Sequence, residues 1–267
     1  MKEVSIRFLS GILYVALVLC SLFTSREWYT VLIFCLAILT LYEFLKLINL
    51  KGIVPYILLA IPFYFIVYNI LDDTLLVGLL LLSILFNIFL CSDVILLNRI
   101  LFFKSKRYLL IIFYLISGFV FLSLIPFTKN EFEPIVVLGV FILAWTNDTF
   151  AYLIGKKIGK RKLNEKISPK KTIEGFLGGI MGSLIGGLFI FISTTHYSVT
   201  FWLLLALIVS ILGTVGDLIQ SKFKRLAGVK DSGNMMPGHG GVYDRLDSIL
   251  FASPFIYLFI TLINYVS

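Results

Sequence analysis

The sequence predicts an all-α fold, a polytopic transmembrane helical bundle of about nine spans. Three observations lead to it. Of the 267 residues, 59% are hydrophobic and 14% charged, with a mean hydropathy of +1.00, whereas a soluble domain is only about half apolar. The apolar residues gather in runs of about 20, the length needed to cross a bilayer core. The cations fall almost entirely on alternate loops, as the positive-inside rule requires.

Taken in order, spans are expected at residues 8–24, 28–46, 53–71, 74–92, 108–127, 135–154, 173–195, 199–220 and 248–265. Lys2 and Arg7 before the first run could suggest a signal peptide. No small-x-small cleavage site follows, and a second apolar run comes at once, so the first is read as a helix that stays. The stretch 94–103 (VILLNRILFF) is too short to span and is expected to lie in the interface. With the N-terminus in the cytoplasm, 21 of the 23 Lys and Arg residues are cytoplasmic, and only Arg26 and Lys129 are not. The net charge of +8 is therefore a signal of membrane sidedness first and a resource for binding phosphate second. It does not point to nucleic acid. Cys20, Cys35 and Cys91 lie in or at the ends of apolar runs without a CxxC partner, which leaves no zinc or disulfide framework and reads them as small buried hydrophobes.

The two halves differ. Residues 1–130 carry few polar groups within spans and read as an N-terminal scaffold that could also dimerise; Glu43, in the second span, is expected to be dispensable. Residues 131–267 read as the catalytic region, with cytoplasmic loops 155–172 and 221–247. Here Asp148, Glu174, Asp217, Asp244 and Asp247 stand at or near cytoplasmic helix ends. Glycines four apart, Gly175/Gly179 and Gly178/Gly182/Gly186, are expected to let helix backbones approach closely.

Three polar clusters share one membrane face: "WTNDTFAYLIGKK", "GKRKLNEKISPKKTIEG", and "GDLIQSKFKR" with the stretch Lys230–Ser248. An aspartate as deep as Asp148 or Asp217 needs a partner, either a lysine and water or a bound cation. Asp247 could cap the last helix, a reading that suits Asp244 less well. Two carboxylates from separate segments suit Mg²⁺, which takes oxygen ligands and keeps waters and substrate phosphates in its shell. Ser168, Lys170, Lys171 and Thr172 precede a helix N-terminus, where free N–H groups and lysines attract phosphate; the bland alternative is a basic topological loop. In "PGHGG", the backbone of Gly240 and Gly241 could wrap a phosphate, and His239 could donate to it, act as an acid, or simply occupy a turn.

"SKFKRLAGVKDSGNMMPGHGGVYDRLDS" resembles the signature of the phosphatidate cytidylyltransferase (CDP-diacylglycerol synthase) family. The matching positions are Ser221, Lys224–Arg225, Lys230–Asp231, Gly233, Pro237, His239–Gly240–Gly241, Asp244–Arg245 and Asp247. "NDTFAYLIGKKIGKRKL", "ISPKKTIEGFLGG" and "GDLIQS" resemble further blocks of that family, so the likeness covers about residues 146–248. Met236 replaces the usual Ile, Leu or Phe, and Lys156 a common Arg, whose bidentate fork a lysine lacks. The resemblance implies an integral enzyme of the cell (inner) membrane with its site on the cytoplasmic side. It would condense CTP with phosphatidate to CDP-diacylglycerol and pyrophosphate, and it would form homodimers. It implies Mg²⁺ as one or two ions, a monovalent cation being a further option. Asp217 and Asp244 are then the first metal ligands, with Asp148 and Asp247 behind them. Asp217, Asp244, Lys224, Arg225, Lys230 and His239 form the catalytic set. Ser168, Lys170, Lys171, Thr172, Ser221, Gly240, Gly241 and Arg245 contact substrate.

Two other functions fit parts of the pattern. An organic-anion transporter would use intramembrane carboxylates and glycine-rich helices, but the polar groups gather on one face and no paired helix breaks mark the midplane. A related lipid phosphotransferase would share the metal logic. The topology is testable by introducing cysteines at positions 168, 232 and 267 after removing the three native ones. An impermeant thiol reagent applied to intact cells should label 267 and spare 168 and 232; labelling at 168 would reject the arrangement.

Overall fold

A computed structural model describes residues 2–68, 70, 72–92, 106–127, 131–194, 196–238 and 240–266. The interfacial segment expected at 94–103 and the candidate His239 lie outside these residues. The helices are α1 (Lys2–Thr24), α2 (Arg26–Leu47), α3 (Val54–Val67), α4 (Asp73–Ser92), α5 (Arg107–Phe127), α6 (Pro134–Ile158), α7 (Ile173–Thr194), α8 (Val199–Leu226) and α9 (Tyr243–Val266). A helix stands at each expected span. Seven of them are long and apolar enough to cross a membrane, while the apolar parts of α1 and α3, Phe8–Thr24 and Val54–Ile66, are shorter. The chain is an integral membrane protein.

The polar ends of α6, α8 and α9 depart from expectation, as does the start of α1, at Lys2. α6 runs to Ile158, α8 to Leu226, and α9 begins at Tyr243, so each continues beyond its apolar run. Helix geometry needs only internal hydrogen bonds and does not stop where hydrophobicity does. These polar extensions carry much of the candidate site, and the loop expected at 221–247 shrinks to a turn between Leu226 and Tyr243. The basic loop before α7 holds a further element, an antiparallel hairpin of β1 (Lys162–Asn164) and β2 (Ser168–Thr172).

The packing follows the small residues. α6 and α7 form the most extensive helix pair, and α8 packs on both α7 and α9. Gly175, Gly178, Gly179, Gly182 and Gly186 of α7 all lie against α6, as their spacing predicts. On α8, a Cβ at Gly216 would stand 2.6 Å from Phe251 Cβ and 2.8 Å from the Asp247 carbonyl oxygen of α9. Pro254 lacks the N–H that would bond the Leu250 carbonyl. Gly118 of α5 lies against that same carbonyl, where a Cβ would be 2.7 Å from the oxygen. Cys20 and Cys35 are exposed rather than buried, because the bundle leaves those faces of α1 and α2 uncovered.

Phe44 (α2), Tyr114 (α5), Phe223 (α8) and Tyr243 (α9) form a buried aromatic cluster, with ring centroids 5.6–6.1 Å apart. The Tyr114 and Tyr243 hydroxyls share a hydrogen bond of 2.7 Å. Tyr114 lies in a π-helical stretch, Ile111–Ile116, a departure from α geometry that often accompanies functional sites. The cluster ties the N-terminal helices to α8 and α9.

Gly216→Val should destabilise the protein by about 1–3 kcal/mol, since neither backbone can yield cheaply. Gly78→Ala, with open space around it, should be neutral or stabilise by up to about 1 kcal/mol. Thermal unfolding in detergent compares the two variants.

Candidate active site

The hairpin is fixed from both sides. At the start of α7, the Gly175 amide donates to Thr172 Oγ1 (3.1 Å), so Thr172 caps the helix. Glu174 accepts the backbone amides of Lys160 (3.0 Å) and Arg161 (3.1 Å) and pairs with the Arg161 side chain at 3.5 Å. Thus anchored, β2 sends Lys171 into an ion pair with Asp217 of α8. The Ser221 hydroxyl, one helical turn on, donates to the other Asp217 oxygen at 3.2 Å.

Beside this pair lies a cleft of about 530 Å³ between α6, α7, α8 and the hairpin, bounded among others by Asp148, Lys156, Lys170, Lys171, Thr214 and Asp217. Asp148 is exposed on α6 and accepts a long hydrogen bond (3.3 Å) from the Asn147 amide nitrogen. The Asn147 side-chain oxygen is buried without a hydrogen-bond partner. Asp148 and Asp217 feel each other's charge, with Lys171 opposing both. Ser168, at the far end of β2, pairs with Asn164 and is not among the residues bounding the cleft.

The second cluster is the turn between α8 and α9. Asp244, in the first turn of α9, accepts five hydrogen bonds. One oxygen receives Lys224 Nζ (2.7 Å) and Gln220 Nε2 (2.9 Å). The other receives the Ser232 amide (2.9 Å), the Ser232 hydroxyl (3.0 Å) and the Gly241 amide (3.0 Å). The turn closes with the Met236 amide on the Gly240 carbonyl (2.9 Å). Gly238 (φ +74°) and Gly240 (φ +90°) occupy the left-handed region, which glycine adopts without a Cβ penalty. Arg225 turns back onto the Val229 carbonyl (3.2 Å), and Lys230 and Arg245 are exposed. The Ser10 hydroxyl of α1 donates to the Pro237 carbonyl (3.0 Å).

Several expectations change. Asp217 and Asp148 open on one cleft, whereas Asp244 lies at the turn, its carboxylate paired with Lys224. Asp247 does not cap α9, which begins four residues earlier; it is buried, and its carbonyl faces Gly216 of α8. Thr172 caps α7 as an acceptor and also bounds the cleft. Among the described residues no three of Asp, Glu, His and Cys come together as a ready-made metal cage. Glu43 is no bystander: it is 1% exposed and accepts from the Ser232 hydroxyl (2.8 Å) and the amides of Val242 (3.1 Å) and Tyr243 (2.9 Å). Gln220 and Ser232 also escaped the sequence reading. Glu43 had left a signal, because a carboxylate inside an apolar span is costly unless satisfied.

A model of a cytidylyltransferase family matches residues 5–263. A phosphatidate cytidylyltransferase of Bacillus subtilis (strain 168) is 32% identical over 274 residues, covering 99% of this chain and 100% of the relative. One from Staphylococcus aureus (strain COL) is 35% identical over 60% of each chain. One from Staphylococcus haemolyticus is 36% identical over 45% of this chain and 46% of its own. The family match and the Bacillus relative both span nearly the whole chain, scaffold helices included, and the chain belongs to the cytidylyltransferase family.

Proposed function

We infer that this protein is a phosphatidate cytidylyltransferase: it condenses CTP with phosphatidate to give CDP-diacylglycerol and pyrophosphate, a step of phospholipid biosynthesis. The observation that carries the reading is the cleft, where a cationic hairpin meets Asp148 and Asp217 at one end of the membrane helices. In the reaction a phosphate oxygen of phosphatidate attacks the α-phosphorus of CTP. One P–O bond forms, the α–β P–O bond breaks, and pyrophosphate leaves with the electron pair. A phosphate monoester has a second pKa of about 6, so the nucleophile is largely a dianion at neutral pH and needs no strong base.

The barrier lies in bringing two polyanions together, and fixed cations lower it. Lys156, Lys162, Lys170 and Lys171 edge the cleft and suit the triphosphate. Lys171 is held by Asp217 in the present structure, so an arriving phosphate exchanges one anionic partner for another and meets a lysine already positioned. Arg245, exposed on α9, adds to the cationic character of this face. The acidic donors of the cleft, Asp148 and Asp217, are all oxygen, which fits a hard divalent cation. These residues, with Asp247 behind them, would hold Mg²⁺, as one or two ions or with a monovalent cation beside it. When bound, the metal supplies charge neutralisation at the phosphates. The cationic bias supports a cytoplasmic site in the cell membrane, and the family resemblance supports a homodimer.

Purified protein given labelled CTP, Mg²⁺ and phosphatidate should yield lipid-extractable label and equimolar pyrophosphate. Uptake of CTP into sealed vesicles without lipid label would favour a transporter instead. Asp217→Asn should abolish product formation at any Mg²⁺ concentration while the protein remains inserted; near-wild-type turnover at limiting Mg²⁺ would remove Asp217 from the metal site. Neutralising Lys170 and Lys171 together (Lys→Met) should lower kcat/KM for CTP by more than about tenfold, since charge-assisted hydrogen bonds contribute about 1.5–3 kcal/mol each. Unchanged kinetics would return both lysines to a topological role.

A further inference from the structure

We propose that Glu43, on a scaffold helix, is the positioning residue that sets the turn between α8 and α9 for nucleotidyl transfer, and through that turn Asp244 and Lys224; the proposal rests on the reaction inferred above. The N-cap position of α9 is Val242, whose apolar side chain cannot accept the free amides of the first turn. Glu43 reaches across from α2 and supplies the missing acceptor: one carboxylate oxygen takes the Val242 amide and the other the Tyr243 amide. A carboxylate at a helix N-terminus is also favoured by the helix dipole. Among the described residues its donors are two backbone amides and a hydroxyl, none of them a cation, and all come from the turn and the start of α9.

The same carboxylate oxygen that takes the Tyr243 amide also takes the Ser232 hydroxyl at 2.8 Å, while Asp244 lies 3.0 Å from that hydroxyl on its other side. One hydroxyl proton thus stands between two carboxylates, and moving either one alters the hydrogen bonding of the other. The turn is shaped to admit Glu43. A Cβ at Gly233 or at Gly241 would overlap the Glu43 carboxylate, and at Gly241 it would also overlap the Ser232 hydroxyl. Two glycines of the signature are therefore explained by the approach of a side chain some 190 residues away in sequence. The linkage continues through Asp244 to Lys224 and Gln220 on α8, the helix that presents Asp217 to the cleft.

Glu43→Gln replaces one acceptor oxygen by an amide donor, so at least one of the three donors faces an NH₂ group. In purified protein, amide hydrogen exchange in 230–243 should rise by about tenfold, the consequence of leaving a buried donor unsatisfied, while exchange in α6 and α7 stays as in wild type. The kcat of the folded fraction should fall by about 10- to 100-fold, as small misplacements at a reacting centre do, with a smaller change in KM for CTP. A purely structural strut would lower the yield of folded protein but leave its kcat intact. Wild-type kcat in folded Glu43→Gln overturns the proposal. So does a reduced kcat with unchanged exchange in 230–243, because the effect would then bypass the turn. If Glu43→Gln does not fold, Ser232→Ala takes its place, removing the shared hydroxyl while keeping both amide bonds to Glu43. Faster exchange in 230–243 together with a reduced kcat then supports the proposal, and wild-type values of either one overturn it. Failure of the wild-type protein to make CDP-diacylglycerol would overturn the inferred reaction, whereas exchange in 230–243 would still decide whether Glu43 sets the turn.

Discussion

The carboxylate of Asp244 is where α8, the turn and α9 are tied together. Its five donors come from Gln220 and Lys224 on α8 and from Ser232 and Gly241 in the turn. Without an acceptor at this point, two buried amides, a hydroxyl, a side-chain amide and an ammonium would lose a shared partner at the edge of an apolar bundle, where unsatisfied polar groups are costly. The dense polar stretch in an otherwise apolar chain is thus partly structural. It closes a turn on charged and backbone groups because apolar packing cannot hold a tight, glycine-rich loop in one shape.

Two layers of charge result. One opens on the cleft, with Lys171 and Asp217 paired and Asp148 opposite. The other is closed, with Asp244, Lys224, Ser232 and Glu43 satisfying one another. Asp247 lies between them, its backbone against Gly216, and its carboxylate feels both Asp217 and Lys224. The close approach of α8 and α9 through Gly213 and Gly216 keeps the two layers in register; in the proposed reaction the open layer exchanges partners with substrate while the closed layer holds the framework still.

The scaffold helices take part in this arrangement. Phe44 and Glu43, adjacent on α2, reach two different partners: the aromatic ring joins Tyr114, Phe223 and Tyr243, and the carboxylate joins the turn. A site built from α6–α9 is therefore braced from the N-terminal half by both apolar and polar contacts.

The sequence by itself determined the helical membrane class, the position of each helix and the polar segments that form the candidate site. These follow from the length of apolar runs, the sidedness of cations and the clustering of polar residues, all local properties. It also marked the glycines by which α7 meets α6, since their spacing is that of one helix face. Tertiary structure alone decided which carboxylates meet. Asp217 and Asp244 look alike in sequence, each beside the end of an apolar run with a serine four residues on and a cation close by. One pairs with Lys171 from a hairpin 46 residues away, and the other with Lys224 on α8 and Ser232 in the turn. Glu43 was visible as an anomalous charge in an apolar span, but its donors lie 189 to 200 residues away. A hydrogen bond is a short-range, directional interaction, so its partner is set by how the helices pack, which no local pattern in the chain encodes.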